Sequence, residues 1–213
     1  MISASYITAD IANSTQLFSS AEMELLAEEI RQILTDRECV FTFSRFDSFQ
    51  VLHRDPGNSL EMVMQIRSAV RKFSGKKPDI RICLGLGQAD PEIRDFTFLK
   101  DDLFVNTGRE FDKMAGNRKW FIIKLTEAED ITKQPGFTTI GLFLDFLFRR
   151  LTFKQSQVLS DLLKGFPQTE IAKLQNKSLP TINKQVKALS WENFKAISKL
   201  YKELLQNQGT HAI

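Results

Sequence analysis

Two aspartates sit where cation chemistry can be built. Asp10 closes the β-rich opening stretch YITADIANST, and Asp47 lies in SRFDSFQVL, at the junction of two short strand-like runs. In a sheet whose first strand neighbours that hairpin, the two carboxylates come to face each other. Carboxylates at such range repel unless a proton or a cation lies between them. All-oxygen ligation of this kind suits Mg²⁺ holding the phosphates of a nucleotide. The plainer alternative is that each Asp is a turn residue bonding its local backbone. A third fragment, LFVNTGREFDKMAG, carries Asn106 and Arg109 into a helix as candidates for nucleotide contact.

Other chemistries are poorly supplied. Gly85-Leu86-Gly87 has no third glycine and no helix directly after it, so a dinucleotide loop is not expected. The two histidines, His53 and His211, come with no Ser/His/Asp or Cys/His arrangement. Cys39 and Cys83 lie in apolar strand-like runs, which favours buried free thiols in a reducing cytoplasm over a disulfide or redox pair. The N-terminus shows no basic stretch followed by an apolar run. The densest apolar segment, residues 137–148, is too short to cross a bilayer and contains Asp145. A cytoplasmic protein with no membrane attachment is expected.

The elements that must position the aspartates follow from periodicity. With 213 residues, 42% of them hydrophobic and 26% charged, the chain can pack one large or two small domains. Residues 3–11 read as a strand. Residues 20–34 carry Leu25, Leu26, Ile30, Ile33 and Leu34 on one helical stripe, with Glu22, Glu24, Glu28 and Glu29 early, where the helix dipole favours acids. Strands are expected over 39–44 and 48–53, a helix over 58–73, a strand over 80–86, a helix over 103–114 and a strand over 120–125. This order predicts an α+β, ferredoxin-like antiparallel sheet with helices on one face. Residues 133–136 read as a linker. The helix expected over 137–150 is apolar nearly all round and must be covered on most sides. Four more helices follow. The expected division is 1–134 for the α+β domain, 135–150 for a connecting helix and 151–213 for an all-α domain.

Charge separates these parts. Residues 1–150 hold 20 Lys and Arg against 22 Asp and Glu, a net −2; residues 151–213 hold nine Lys against four acids, a net +5. A basic final third suggests a polyanion partner, with a merely solvated surface as the alternative. In QTEIAKLQNKSLPTINKQVKAL, Asn176 sits at a turn between two short helices, where Asn tolerates the left-handed conformation. Ser178 can cap the second helix, and Ile182, Val186 and Leu189 point inward. Thr181, Asn183, Lys184, Gln185 and Lys187 then point outward, with Ser178 at their head, in a pattern that suits phosphates and base edges of duplex DNA. A helix pair of this kind can also serve packing alone. The last helix carries Trp191, Phe194, Ile197, Leu200, Tyr201 and Leu204 in a stripe that either packs on its neighbours or forms a homodimer contact.

Three resemblances sit on these residues. LTFKQSQVLSDLLKG followed by QTEIAKLQNKSLPTINKQV resembles the helix-turn-helix of LuxR-type and sigma-region-4-type regulators, which implies that residues 179–189 enter a DNA major groove. The layout of Asp10, Asp47 and Val105-Asn106 resembles the catalytic domain of class III nucleotide cyclases. Phe46 stands where that family has Gly, and Arg109 comes one place earlier than the family's Arg, about a 100° rotation on a helix. The order of the Thr-Ala-Asp-Ile start, the Asp-Ser-Phe-Gln hairpin, the Gly-Arg-Glu-Phe helix and a C-terminal unit with Trp191 is similar to the SatD family, a cyclase-like domain followed by a helix-turn-helix.

Together these imply a DNA-binding transcriptional regulator. Its cyclase-like domain would sense a nucleotide or other small effector, or a partner, without turnover. The alternatives are a divergent Mg²⁺-dependent nucleotide cyclase or nucleotide-binding enzyme, and an interaction module that uses neither site.

Overall fold

The computed structural model describes the chain apart from residues 74–76, 97–100, 118, 127–129 and 207–213, and gives no side-chain surroundings for 116–117. His211 therefore lies outside the described residues. Strand β1 (Ile2–Ile11) is followed by α1 (Ser14–Leu17), α2 (Ser20–Thr35), β2 (Val40–Phe43), β3 (Ser48–His53) and α3 (Pro56–Lys72). Then come β4 (Ile80–Ala89), α4 (Asp102–Asn117), β5 (Phe121–Leu125), a 3₁₀ turn (Ile131–Lys133) and α5 (Gln134–Arg150). Helices α6 (Phe153–Leu163), α7 (Gln168–Leu174), α8 (Leu179–Ala188) and α9 (Trp191–Gln206) complete the order. Local chemistry sets several of these ends. Ser19 and Glu22 form a reciprocal capping box at α2, and Thr152 and Gln155 form another at α6.

The sheet runs β2-β3-β1-β4-β5. Its first four strands are antiparallel in the ferredoxin-like order, and β5 pairs parallel to β4. Along β1, Ile7, Ala9 and Ile11 point into the main core beneath α2, α3 and α5, while Ala4 and Tyr6 point to the other face. That second face is where the expectation of helices on one side needs correction. A parallel β4–β5 pair requires a crossover, and α4 supplies it by lying across this face. Leu103 and Phe104 pack there with Ala4, Tyr6 and Leu52. Gly85 lets α4 approach: a Cβ at that position would lie 1.8 Å from Thr107 Oγ1.

Helix α5 covers the open edge of β5. Gln134 Nε2 donates to Ile123 O and its Oε1 accepts from Leu125 N, both at 2.8 Å, so one side-chain amide replaces a neighbouring strand. The residues expected to form a linker at 133–136 thus lead straight into a helix pinned to the sheet. Helix α5 is not covered nearly all round as expected: Leu142, Phe143 and Phe146 are exposed.

A buried charge cluster holds the layers together. Arg67 on α3 is 1% exposed and donates through Nε and Nη2 to Asp79, at 2.8 and 3.0 Å, and through Nη1 to Asp145 on α5, at 2.6 Å. Arg71 Nη1 also donates to Asp79, at 2.8 Å. Ile80 N gives its hydrogen to Asp79, and Trp120 N gives its hydrogen to Asp145. Two cations and two anions cancel, and every carboxylate oxygen has a donor. Burial alone would lower the Arg67 pKa, but Asp79 and Asp145 outweigh it and raise the value.

Helices α6 and α9 pack on α3, and α9 also packs on α5. Phe148, Val158, Phe194 and Tyr201 belong to the same buried cluster as Ile7 and Leu84. A separate C-terminal domain is therefore not what the packing shows. Of the α9 stripe, Phe194, Ile197 and Tyr201 are buried inside the chain, and the Tyr201 hydroxyl donates to Pro56 O at 2.8 Å, while Leu200 is exposed. Among the described residues no helix is long and apolar enough to cross a membrane.

Asp145→Ala should cost about 3–5 kcal/mol of unfolding free energy in urea denaturation, because it leaves excess buried positive charge and strands Trp120 N; a cost under ~1 kcal/mol would contradict the network's role. A second test uses His53, which is buried and hydrogen-bonds through Nδ1 to Ser59 Oγ at 2.8 Å. Burial pushes its pKa below the ordinary value, and Asp55 offsets part of that. The folded state then binds fewer protons than the unfolded chain. This contribution is complete above about pH 6.5 and is lost as the pH falls toward the lower folded value. His53→Gln should flatten the stability slope between pH 7 and 5.

Candidate functional site

Asp10 and Asp47 are brought together at one end of the sheet. Asp10 pairs across β1–β3 with Ser48, and Asp47 O accepts a hydrogen bond from Ile11 N at 2.8 Å. The hairpin tip is closed by Ser44 N donating to Ser48 O at 2.9 Å. After β1 the chain turns through Asn13, whose φ of 54° is left-handed, and places Ser14 in a buried position. Ser14 Oγ donates to the Asp47 carboxylate. Ala12 N donates to Asp79 O at 3.1 Å, which ties the same turn to the start of β4 and to the buried charge cluster.

The register of β1 and β4 sets Arg81 opposite Asp10, and the two form an ion pair. Their side chains are 29% and 26% exposed. The Arg81 guanidinium lies 6.0 Å from the ring centroid of Phe111 on α4, and its buried Nε has no hydrogen-bond partner. The sequence reading missed Arg81. The available signal was a lone cation in the apolar run Ile80 to Leu86, on the face that alternates away from Ile82 and Leu84.

The other candidates are placed differently. On α4, Thr107 faces Gly85 and Phe111 faces Arg81, which leaves Asn106 half-buried and Arg109 exposed. Glu110 lies near Cys83 instead. Burial, with the Glu110 charge adding to it, pushes the Cys83 thiol well up. Cys39 is likewise pushed up by burial, to about 12. Both cysteines are free, as expected, and neither has the depressed pKa of a nucleophile. At the C-terminal pair of helices, Asn176 is left-handed with φ of 50° and Thr181 N donates to Ser178 Oγ at 3.3 Å. Ser178, Thr181, Asn183, Lys184 and Lys187 are exposed; Gln185 is half-buried and its Oε1 is buried without a partner.

The donor set at the sheet end fits a hard divalent cation in type, since Asp10 and Asp47 supply carboxylate oxygens and Ser14 a hydroxyl. No group of three or more His, Cys, Asp or Glu side chains able to hold a metal occurs among the described residues. Any cation here must take its remaining ligands from water or a bound phosphate. Grooves of about 580 and 690 Å³ flank α9, one lined by Trp191 and Phe194 and the other by Asp55 and Lys133. Neither borders Asp10, Asp47 or Arg81, and the carboxylates and lysines that line them include the surface ion pairs Lys202–Glu61 and Lys199–Glu203.

No protein-family model matches the sequence, and no curated protein matches it. Solved structures do. The chain is similar to the guanylyl cyclase Cya2 at 11% identity over 52% of this chain and 70% of that one, with a TM-score of 0.39. It is similar to a bacterial light-regulated adenylyl cyclase at 14% identity, 57% and 75% coverage and a TM-score of 0.42. It is also similar to the active GGEEF domain of a diguanylate cyclase from Vibrio cholerae at 15% identity, 60% and 85% coverage and a TM-score of 0.41. At these values the likeness carries no argument about reaction or substrate. The expectation of a DNA-binding transcriptional regulator is corrected all the same: what the chain is similar to is nucleotide cyclases.

Gly85→Ala should push α4 off the sheet and destabilise the chain by about 1–3 kcal/mol. Thr107→Ala in the same chain should recover part of that loss, because it removes the Oγ1 nearest the new methyl. Additive costs in the double variant, measured by urea denaturation, would contradict this placement of α4.

Proposed function

We propose that the chain is a nucleotide-binding protein of cyclase-like build, in which Asp10 and Asp47 hold a divalent cation together with nucleotide phosphates. One observation carries the reading: the Ile11–Asp47 backbone hydrogen bond and the Asp10–Ser48 pairing bring two acidic residues to one sheet end. Carboxylates placed by backbone register need little further ordering to capture a cation. Mg²⁺ takes one or two carboxylates, keeps several waters and accepts phosphate oxygens. A bound cation would supply charge neutralisation at those phosphates. Ser14 orients the Asp47 carboxylate, and Arg81 balances Asp10 before anything binds.

The reading is of binding first. Phe46 stands exposed at the hairpin tip, where the cyclase resemblance has Gly, and Arg109 is exposed on α4. Cyclic-product formation is the stronger form of the same proposal, and an assay with ATP or GTP separates the two. The exposed strip of Leu142, Phe143 and Phe146 favours a second reading, a module that meets another protein through α5.

Mn²⁺ with ATP or GTP at about 100 times Kd should raise the melting temperature by about 5–10 °C, and Asp10→Asn should abolish the rise. The absence of any rise across ATP, GTP, CTP and UTP with Mn²⁺ or Mg²⁺ would end the proposal.

A further inference from the structure

Among the arginines that meet carboxylates in this fold, Arg67 and Arg81 are held in opposite ways. Arg67 is sealed in the core with its Nε, Nη1 and Nη2 all donating to Asp79 or Asp145. Arg81 is nearly one-third exposed, is held by one carboxylate and leaves its buried Nε without a partner. Its other neighbour is the ring of Phe111, at the outer range of a cation–π contact. Such a guanidinium can leave its carboxylate without breaking another hydrogen bond.

The carboxylate it occupies belongs to Asp10. A divalent cation and a guanidinium compete for the same oxygen, and two positive charges a few ångströms apart repel. Resting on the cation reading of Asp10 and Asp47, we propose that Arg81 is a gate. It fills the Asp10 carboxylate when the site is empty and exchanges it for a phosphate oxygen when nucleotide and cation enter together. Guanidinium groups bind phosphate through two parallel hydrogen bonds, so the exchange gives Arg81 an anion of equal or better fit. The backbone need not move, because the β1–β4 register already sets Arg81 beside Asp10. The gate makes the site selective for a cation–nucleotide complex over a bare cation.

The test is Mn²⁺ titration of the full chain, followed by the paramagnetic resonance signal of free Mn²⁺, with and without ATP. Arg81→Gln should bind Mn²⁺ alone at least tenfold more tightly than the wild type. Addition of ATP should strengthen Mn²⁺ binding to the wild type by a larger factor than binding to Arg81→Gln. Arg81→Lys keeps the charge and should exclude bare Mn²⁺ as the wild type does. Arg81→Gln binding Mn²⁺ no better than wild type overturns the gate, as does equal tightening in Arg81→Gln and Arg81→Lys. Asp10→Asn separates the two levels. If, with ATP present, it binds Mn²⁺ as the wild type does, the cation site itself fails and the gate fails with it. If it abolishes binding while Arg81→Gln shows no gain, only the gate fails.

Discussion

The buried cluster of Arg67, Arg71, Asp79 and Asp145 is the constraint on which the rest of the structure depends. Isolated, each charge would be costly to bury; together they are neutral, and every carboxylate oxygen has a donor, while Arg71 Nε is buried without a partner. The cluster joins α3 to the start of β4 and to the middle of α5, and through Trp120 N to the start of β5. It also reaches the site. Asp79 accepts from Ile80 N with its carboxylate and from Ala12 N with its carbonyl. The turn after Asp10 and the residue before Arg81 are therefore fixed by the same two groups.

From that anchor the charged end of the sheet follows by register. Antiparallel pairing sets Asp10 opposite Ser48 on one side and opposite Arg81 on the other. Every polar group there is placed by a strand or by a turn adjoining one, which gives the precision that loop-borne groups lack. Helix α4 shields the same face, and it can do so because Gly85 offers no side chain. The fold thus seals Arg67 and Arg71 in the core and leaves Arg81 part-exposed with Asp10 as its carboxylate partner.

Much of this was legible in the sequence. The order of strands and helices was, because stretches such as 20–34 and 80–86 have unmistakable periods. The adjacency of Asp10 and Asp47 was also legible, since it needs only the strand order. Arg81 was not, because its partner is fixed by a register that no local pattern reveals. The side taken by α4 was missed because Gly85 and Gly87 read as the end of a strand; β4 in fact runs on to Ala89, with Gly85 making room for the helix and Gly87 for Thr126. Asp145 read as a charge that forbids membrane insertion, whereas its role needs Arg67, distant in sequence. Gln134 looked like linker because nothing local says that a side-chain amide will complete a sheet edge. The exposure of Lys184 and Lys187 was anticipated, yet exposure alone does not name a partner, and the inference to DNA did not stand.

The most direct measurement is an anomalous-difference map at the manganese edge from crystals grown with Mn²⁺ and ATP. The account predicts a peak within about 2.2 Å of carboxylate oxygens from both Asp10 and Asp47, with the Arg81 guanidinium withdrawn from Asp10. A map with Mn²⁺ bound elsewhere on the chain, and the Asp10–Arg81 pair intact, would contradict it.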